Sequence, residues 1–179
     1  VIYKGELSHF HLKEEGELTE DTYAGIKEIL LKRAKLRAMH LLNDMARTES
    51  QLREKLKLGG YPSEITEAAI AYVKSFGYIN DDAYIRSFID GRKNKKSRRE
   101  IYALLKQKGV NMDRAEEILD EMYEEHSDQK AIRELLHKKH WDFACTDPKE
   151  KQKIYGYLVR KGFRYEDIRQ VIQVCDWNA

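Results

Sequence analysis

Apolar positions in this chain recur at helical rather than alternating spacing, and one phrase of the pattern occurs three times. The phrase centres on Gly60, Gly109 and Gly162. Eight positions before each glycine stands an aliphatic residue (Leu52, Ile101, Ile154), and four before stands a leucine (Leu56, Leu105, Leu158). Tyr61, Val110 or Phe163 follows directly, and apolar pairs come nine and ten positions later: Ala69–Ile70, Ile118–Leu119 and Val171–Ile172. The glycines lie 49 and then 53 residues apart. That period predicts a tandem array of small helical repeats, each with its own core, in an elongated molecule suited to a long partner.

Between these anchors the pattern predicts individual elements. Tyr23, Ile26, Ile29, Leu30, Ala34, Ala38, Leu41, Leu42 and Met45 keep helical spacing, so one long helix or two abutting ones should run from about 19 to 46, with Thr19 as N-cap. Thr48 caps a helix carrying Leu52 and Leu56, which Gly59 and Gly60 end, and Ser63 opens another that closes at Gly77. Asn80-Asp81-Asp82 is a cap signal for a helix bearing Ala83, Tyr84, Ile85, Phe88 and Ile89. Ser97 caps the next, Gly109 ends it, and a third carries Ala115, Ile118, Leu119 and Met122. A last trio begins near Ser127, with a looser stretch from His140 to Pro148. Near the N-terminus Phe10 and Leu12 alternate with His9, His11 and Lys13, which predicts a strand or extended arm.

The expected fold is therefore all-α: a short N-terminal extended segment (1–17) and three tandem three-helix repeats (18–79, 80–126, 127–179). From Ala38, Ala83 and Ala131 to the following repeat glycine the chain runs 22, 26 and 31 residues. The growth falls between the first and second helices, so the connectors at 91–98 and 140–149 are candidate contact elements.

Charge sharpens this picture. Of 179 residues 36% are charged, yet the formal net charge is only +2. Arg86 to Lys108 holds nine Lys/Arg against two Asp/Glu, and Asp113 to Asp128 holds eight Asp/Glu against one Arg. Solvated helix faces would explain this; so would a directed field over the surface. The basic connector suits phosphates, because side-chain charge and helix N-terminal amides converge there, and it equally suits an acidic protein surface. Tyr84, Phe88 and Tyr102 flank it at core-like positions, which favours packing over base stacking.

Catalytic chemistry is not in view. The chain contains no P-loop, GxSxG or Rossmann fingerprint, and Asp81-Asp82 sits at a helix start, where capping explains it. His137, His140 and Cys145 lack a completing ligand, so neither a metal nor another cofactor is expected. Two cysteines without a CxxC fit a reducing compartment, and no apolar run reaches bilayer-spanning length. Val1 is not a natural start, so sequence is expected to precede it.

Several phrases, in this order and spacing, resemble the RecX family of bacterial regulators of the RecA recombinase from about Leu18 onward. They are Arg47-Thr48-Glu49-Ser50-Gln51-Leu52-Arg53-Glu54-Lys55-Leu56, then Phe76-Gly77-Tyr78-Ile79-Asn80-Asp81-Asp82-Ala83-Tyr84, then Gln107-Lys108-Gly109-Val110 and Arg160-Lys161-Gly162. Where family members often carry Lys-Gly, this connector reads Asn94-Lys95-Lys96-Ser97, without glycine and with more charge. The resemblance implies a curved array of three-helix repeats in a bacterial cytoplasmic protein. It implies binding in the groove of the RecA–DNA filament and inhibition of filament growth, ATP hydrolysis and strand exchange. The expected contacts to DNA phosphates or acidic RecA surface are Arg92, Lys93, Lys95, Lys96, Arg98, Arg99, Lys106 and Lys108, with Arg47, Arg53, Lys55 and Arg86 secondary. A monomer is expected, since nothing demands a dimer. The alternatives are a nucleic-acid-binding repeat protein that ignores RecA and an adaptor that uses the acidic helix 113–125.

Overall fold

The structure, a computed structural model, describes residues 4–10, 18–123, 127–143, 145 and 147–174. Among them are ten helices and no strand: α1 (Lys4–His9), α2 (Glu20–Asp44), α3 (Glu49–Leu58), α4 (Ser63–Ser75), α5 (Asp81–Asp90), α6 (Arg98–Gln107), α7 (Met112–Met122), α8 (Ser127–Lys138), α9 (Pro148–Arg160) and α10 (Tyr165–Val174). None of the described helices is long and apolar enough to cross a membrane. The chain divides into two compact units, Val1–Asp81 and Asp82–Ala179.

In the first unit α2 is one continuous helix, opened by Thr19, whose side chain accepts from the Thr22 amide. Its buried stripe, Ile26, Leu30, Ala34, Ala38 and Leu41, packs on Leu52 and Leu56 of α3 and on Ile65, Ala69, Ile70 and Val73 of α4. Thr48 forms a reciprocal capping box with Gln51 at the start of α3. The expected extended arm is corrected over residues 4–9, which are helical. Two apolar residues in alternation are too few to separate the two periodicities, and tertiary contacts decide: Glu6 reaches Arg33 at 3.3 Å and Phe10 packs on the core. His11, Leu12 and Lys13 lie outside the described residues.

The second unit holds two separate cores. Ile85, Phe88, Ile89, Ile101, Leu105, Val110, Ala115, Ile118 and Leu119 form one among α5–α7. Ala131, Ile132, Leu136, Ile154, Leu158, Phe163, Ile168, Val171 and Ile172 form the other among α8–α10. Ala83 is exposed whereas Ala38 and Ala131 are fully buried, so it is not their counterpart. The connector trend survives on the helix bounds themselves, because the gaps after α2, α5 and α8 still lengthen along the chain.

Polar contacts join the two helix trios of this unit. The buried Ser97 hydroxyl caps α6 by accepting from the Glu100 amide at 3.1 Å and donates to the Lys161 carbonyl at the end of α9 at 2.7 Å. Asp128, at the start of α8, accepts from the Arg98 amide at 3.1 Å. One hydroxyl and one carboxylate thus satisfy amides of α6 that no intrahelical bond reaches.

Candidate functional site

The connector between α5 and α6 winds as consecutive turns. The amides of Arg92 and Lys93 reach the Ile89 carbonyl, and those of Lys95 and Lys96 reach the Arg92 carbonyl. Every residue from 91 to 97 keeps negative φ, so the missing glycine costs nothing here. The Tyr123 hydroxyl, at the end of α7, donates to the Lys96 carbonyl at 3.4 Å and pins the turn. Burial pushes that phenol's pKa up.

Most of the connector's cations are engaged within the chain. Arg98 meets Asp120 at 2.5 Å and Glu116 at 4.0 Å, and Arg86 pairs with Glu121, so acidic α7 neutralises part of the basic run. Lys96 pairs with Glu100, and Lys93 with Asp90 at 3.0 Å. The Arg92 guanidinium lies 3.7 Å from the Phe88 ring centroid and donates to the Phe88 carbonyl. Arg99 lines a cleft of about 600 Å³ with Arg98 and Arg164, where Glu116, Asp120, Asp128 and Asp167 outnumber the cations. That cleft therefore does not favour an anion. Lys106 is exposed further along α6, and Lys108 is half-buried.

In the first unit the secondary candidates divide similarly. Arg53 holds Glu67 through two bonds of 2.7 and 2.9 Å and Glu49 at 2.8 Å. Arg47 donates to the Leu41 carbonyl at 3.1 Å, and Lys55 is exposed.

Lys95 is the connector cation that the fold brings to a positive groove. The groove, of about 790 Å³, is lined by Asn94 and Lys95 of the connector, by Lys130, Arg133, Glu134 and His137 of α8, and by Phe143. Positions 130, 133, 134 and 137 form one exposed stripe of α8 because they fall one helical turn apart. Three cations face one carboxylate, which favours an anionic ligand. The sequence reading missed Lys130 and Arg133, and it weighed His137 only as a metal ligand. Their i, i+3, i+7 spacing was visible, but their approach to the connector depends on the Asp128 and Ser97 contacts.

Comparison with known proteins gives this geometry a family. The model of the first three-helix domain of RecX matches residues 34–72, and that of the third matches residues 127–172. The regulatory protein RecX of Caldanaerobacter subterraneus subsp. tengcongensis is 33% identical over 164 residues, covering 90% of this chain and 81% of that protein. The chain belongs to the RecX family. Its RecX relative from Clostridium acetobutylicum is 28% identical over 179 residues, covering 94% of this chain and 81% of that one. Two RecX crystal structures share the helical repeat fold. One, a regulatory protein RecX, has a TM-score of 0.68 at 24% identity and covers 95% of this chain and 85% of its own. The other, RecX from Lactobacillus salivarius, has a TM-score of 0.68 at 23% identity and covers 84% and 99%. These relatives carry the names of regulatory proteins, not of enzymes.

Proposed function

We propose that this RecX-family chain is a negative regulator of RecA that binds the RecA–DNA filament and restrains its extension, ATP hydrolysis and strand exchange. Family membership along nearly the whole chain is the observation that carries this reading. Three helical repeats would provide the reach across neighbouring filament subunits. The groove of Lys95, Lys130 and Arg133 would meet the filament's anionic surface, either DNA phosphate or acidic protein. On this reading the central contacts are Lys95 of the connector with Lys130 and Arg133 of α8. Arg86, Arg98 and Lys96 pair with carboxylates of this chain.

The test is RecA's ATPase on single-stranded DNA, titrated with this chain and with Lys95→Glu/Arg133→Glu. The unaltered chain should inhibit, and the double variant should need about tenfold more protein for the same effect. Undiminished inhibition by the folded variant would remove the groove from the interface. Absence of inhibition by the unaltered chain would overturn the RecA reading. DNA binding that is equally tight with and without RecA would favour a RecA-independent binder.

A further inference from the structure

The phrase Phe76-Gly77-Tyr78-Ile79-Asn80-Asp81-Asp82 has structural work at most of its positions. Gly77 turns the chain at φ 72°, Ile79 is buried, Asp81 accepts from the Glu49 amide at 2.9 Å, and Asp82 pairs with Arg114. Phe76 and Tyr78 do not share in it: they are 60% and 57% exposed. Their rings stack, with centroids 6.1 Å apart, and Phe76 also meets Tyr72 at 4.9 Å. Tyr78 borders a groove of about 550 Å³ floored by Leu36, Met39 and Leu42 of α2, and Leu36 and Met39 are themselves 51% and 39% exposed. A contiguous exposed apolar surface of this kind marks an interaction site.

The α2 stretch beside the groove is basic. Residues 29–43 contain no Asp or Glu and four Lys/Arg, of which Arg33 pairs with Glu6, and Asp44 follows directly. Lys32 and Lys35 stand one turn before Leu36 and Met39 on α2 and so continue the same helix face toward its N-terminus, beyond the residues that line the groove. Lys35 is held 4.4 Å from the Tyr72 ring centroid, and His40 lines the groove. We propose that this surface of the first unit docks an acidic amphipathic segment of a partner protein, with apolar side chains on Leu36, Met39 and Tyr78 and carboxylates on Lys32 and Lys35. An aliphatic and thioether floor fits branched side chains, and methionine adapts to their shape. Tyr78 is the one Phe, Tyr or Trp ring among the described residues that line the groove, and the aliphatic and thioether floor offers branched side chains more contact than it offers bases. This inference stands on unit 1 alone and does not depend on the groove beside α8.

The test uses the full chain and a fluorescent synthetic helix of roughly 15 residues, leucine at i, i+4 and i+7 and glutamate on the remaining face. By anisotropy this probe should bind, and a scrambled peptide of the same composition should bind at least about tenfold more weakly. Leu36→Ser/Tyr78→Ser should lose about tenfold in affinity with unchanged thermal melting, because both side chains are exposed. Lys32→Glu/Lys35→Glu should lose a similar factor and abolish the salt dependence. Equal binding of the scrambled peptide, or unchanged affinity of the Leu36→Ser/Tyr78→Ser variant, would overturn the proposal. Displacement of the probe by oligothymidine in a Tyr78-dependent manner would overturn it in favour of a nucleic-acid surface.

Discussion

At the scale of single residues, the second unit rests on a few polar side chains that serve two helices at once. Burial holds the Asp128 carboxyl above its ordinary pKa of 3.8, against the opposing pull of the Arg98 amide. A raised carboxyl favours the native state below its unfolded pKa and loses that contribution as pH rises through the folded value. At pH 7 the charge is therefore a cost, while the acceptor oxygen remains useful. Asp128→Asn keeps an acceptor and should leave the second unit at least as stable at pH 7. Asp128→Ala orphans the Arg98 amide and should cost about 1 kcal/mol in urea unfolding. Gly162 offers a second check. It sits at φ 87°, and an added Cβ would come within 2.8 Å of Ser97 Oγ, whereas Gly77 at φ 72° has open space. Gly77→Ala should cost about 1 kcal/mol for conformation alone. Gly162→Ala should cost clearly more in the same denaturation experiment, because it also displaces a hydroxyl bonded to Lys161 and Glu100.

At the scale of elements, charge is arranged as pairs between helices. The acidic run that the sequence suggested as an adaptor surface turns, within α7, toward Arg86 and Arg98. Two cations of the basic segment thus meet three acids of α7, so the field read from the local charge sums is reduced. The spacing of charges along the chain could not show this, since the pairing needs α7 folded back along α5 and α6. In the first unit α3 and α4 share a denser cluster. Lys74 and then Arg53 lower the Glu49 pKa below its ordinary 4.5, and Arg53 lowers that of Glu67. Depressed carboxyls stabilise the native state above pH 4.5 and lose that contribution as pH falls through their folded values. Amide exchange in α3 and α4 should therefore accelerate, relative to intrinsic rates, once pH drops below 4.5. Arg53→Ala should flatten that dependence; an unchanged profile would show the cluster to be energetically idle.

At the scale of the whole molecule, the periodic apolar phrase determined the helical repeat character of the chain. Leu52, Ile101 and Ile154, with Leu56, Leu105 and Leu158, are all buried as the spacing requires. Caps were legible too: Thr19, Thr48 and Ser97 each accept an amide at the helix start where the sequence placed them. These features are local, set by helical period and by hydroxyls adjacent to free amides, so one sequence suffices to find them. Other features were decided by tertiary contact. Asp81 and Asp128 cap α3 and α6, helices that begin about thirty residues earlier in the chain, through hydrogen bonds spanning 32 and 30 residues. At α9 the corresponding first position is Pro148, which has no amide to cap. The segment 4–9 became helix because Glu6 found Arg33 and Phe10 found the core. The surroundings of the connector cations were decided in the same way. Sequence marked every connector cation alike, and only folding set Arg98 against α7, Lys93 and Lys96 against Asp90 and Glu100, and Lys95 beside Lys130 and Arg133. The physical reason is range: hydrophobic period and capping act within a few residues, whereas ion pairing and groove formation depend on which surfaces the helices bring together.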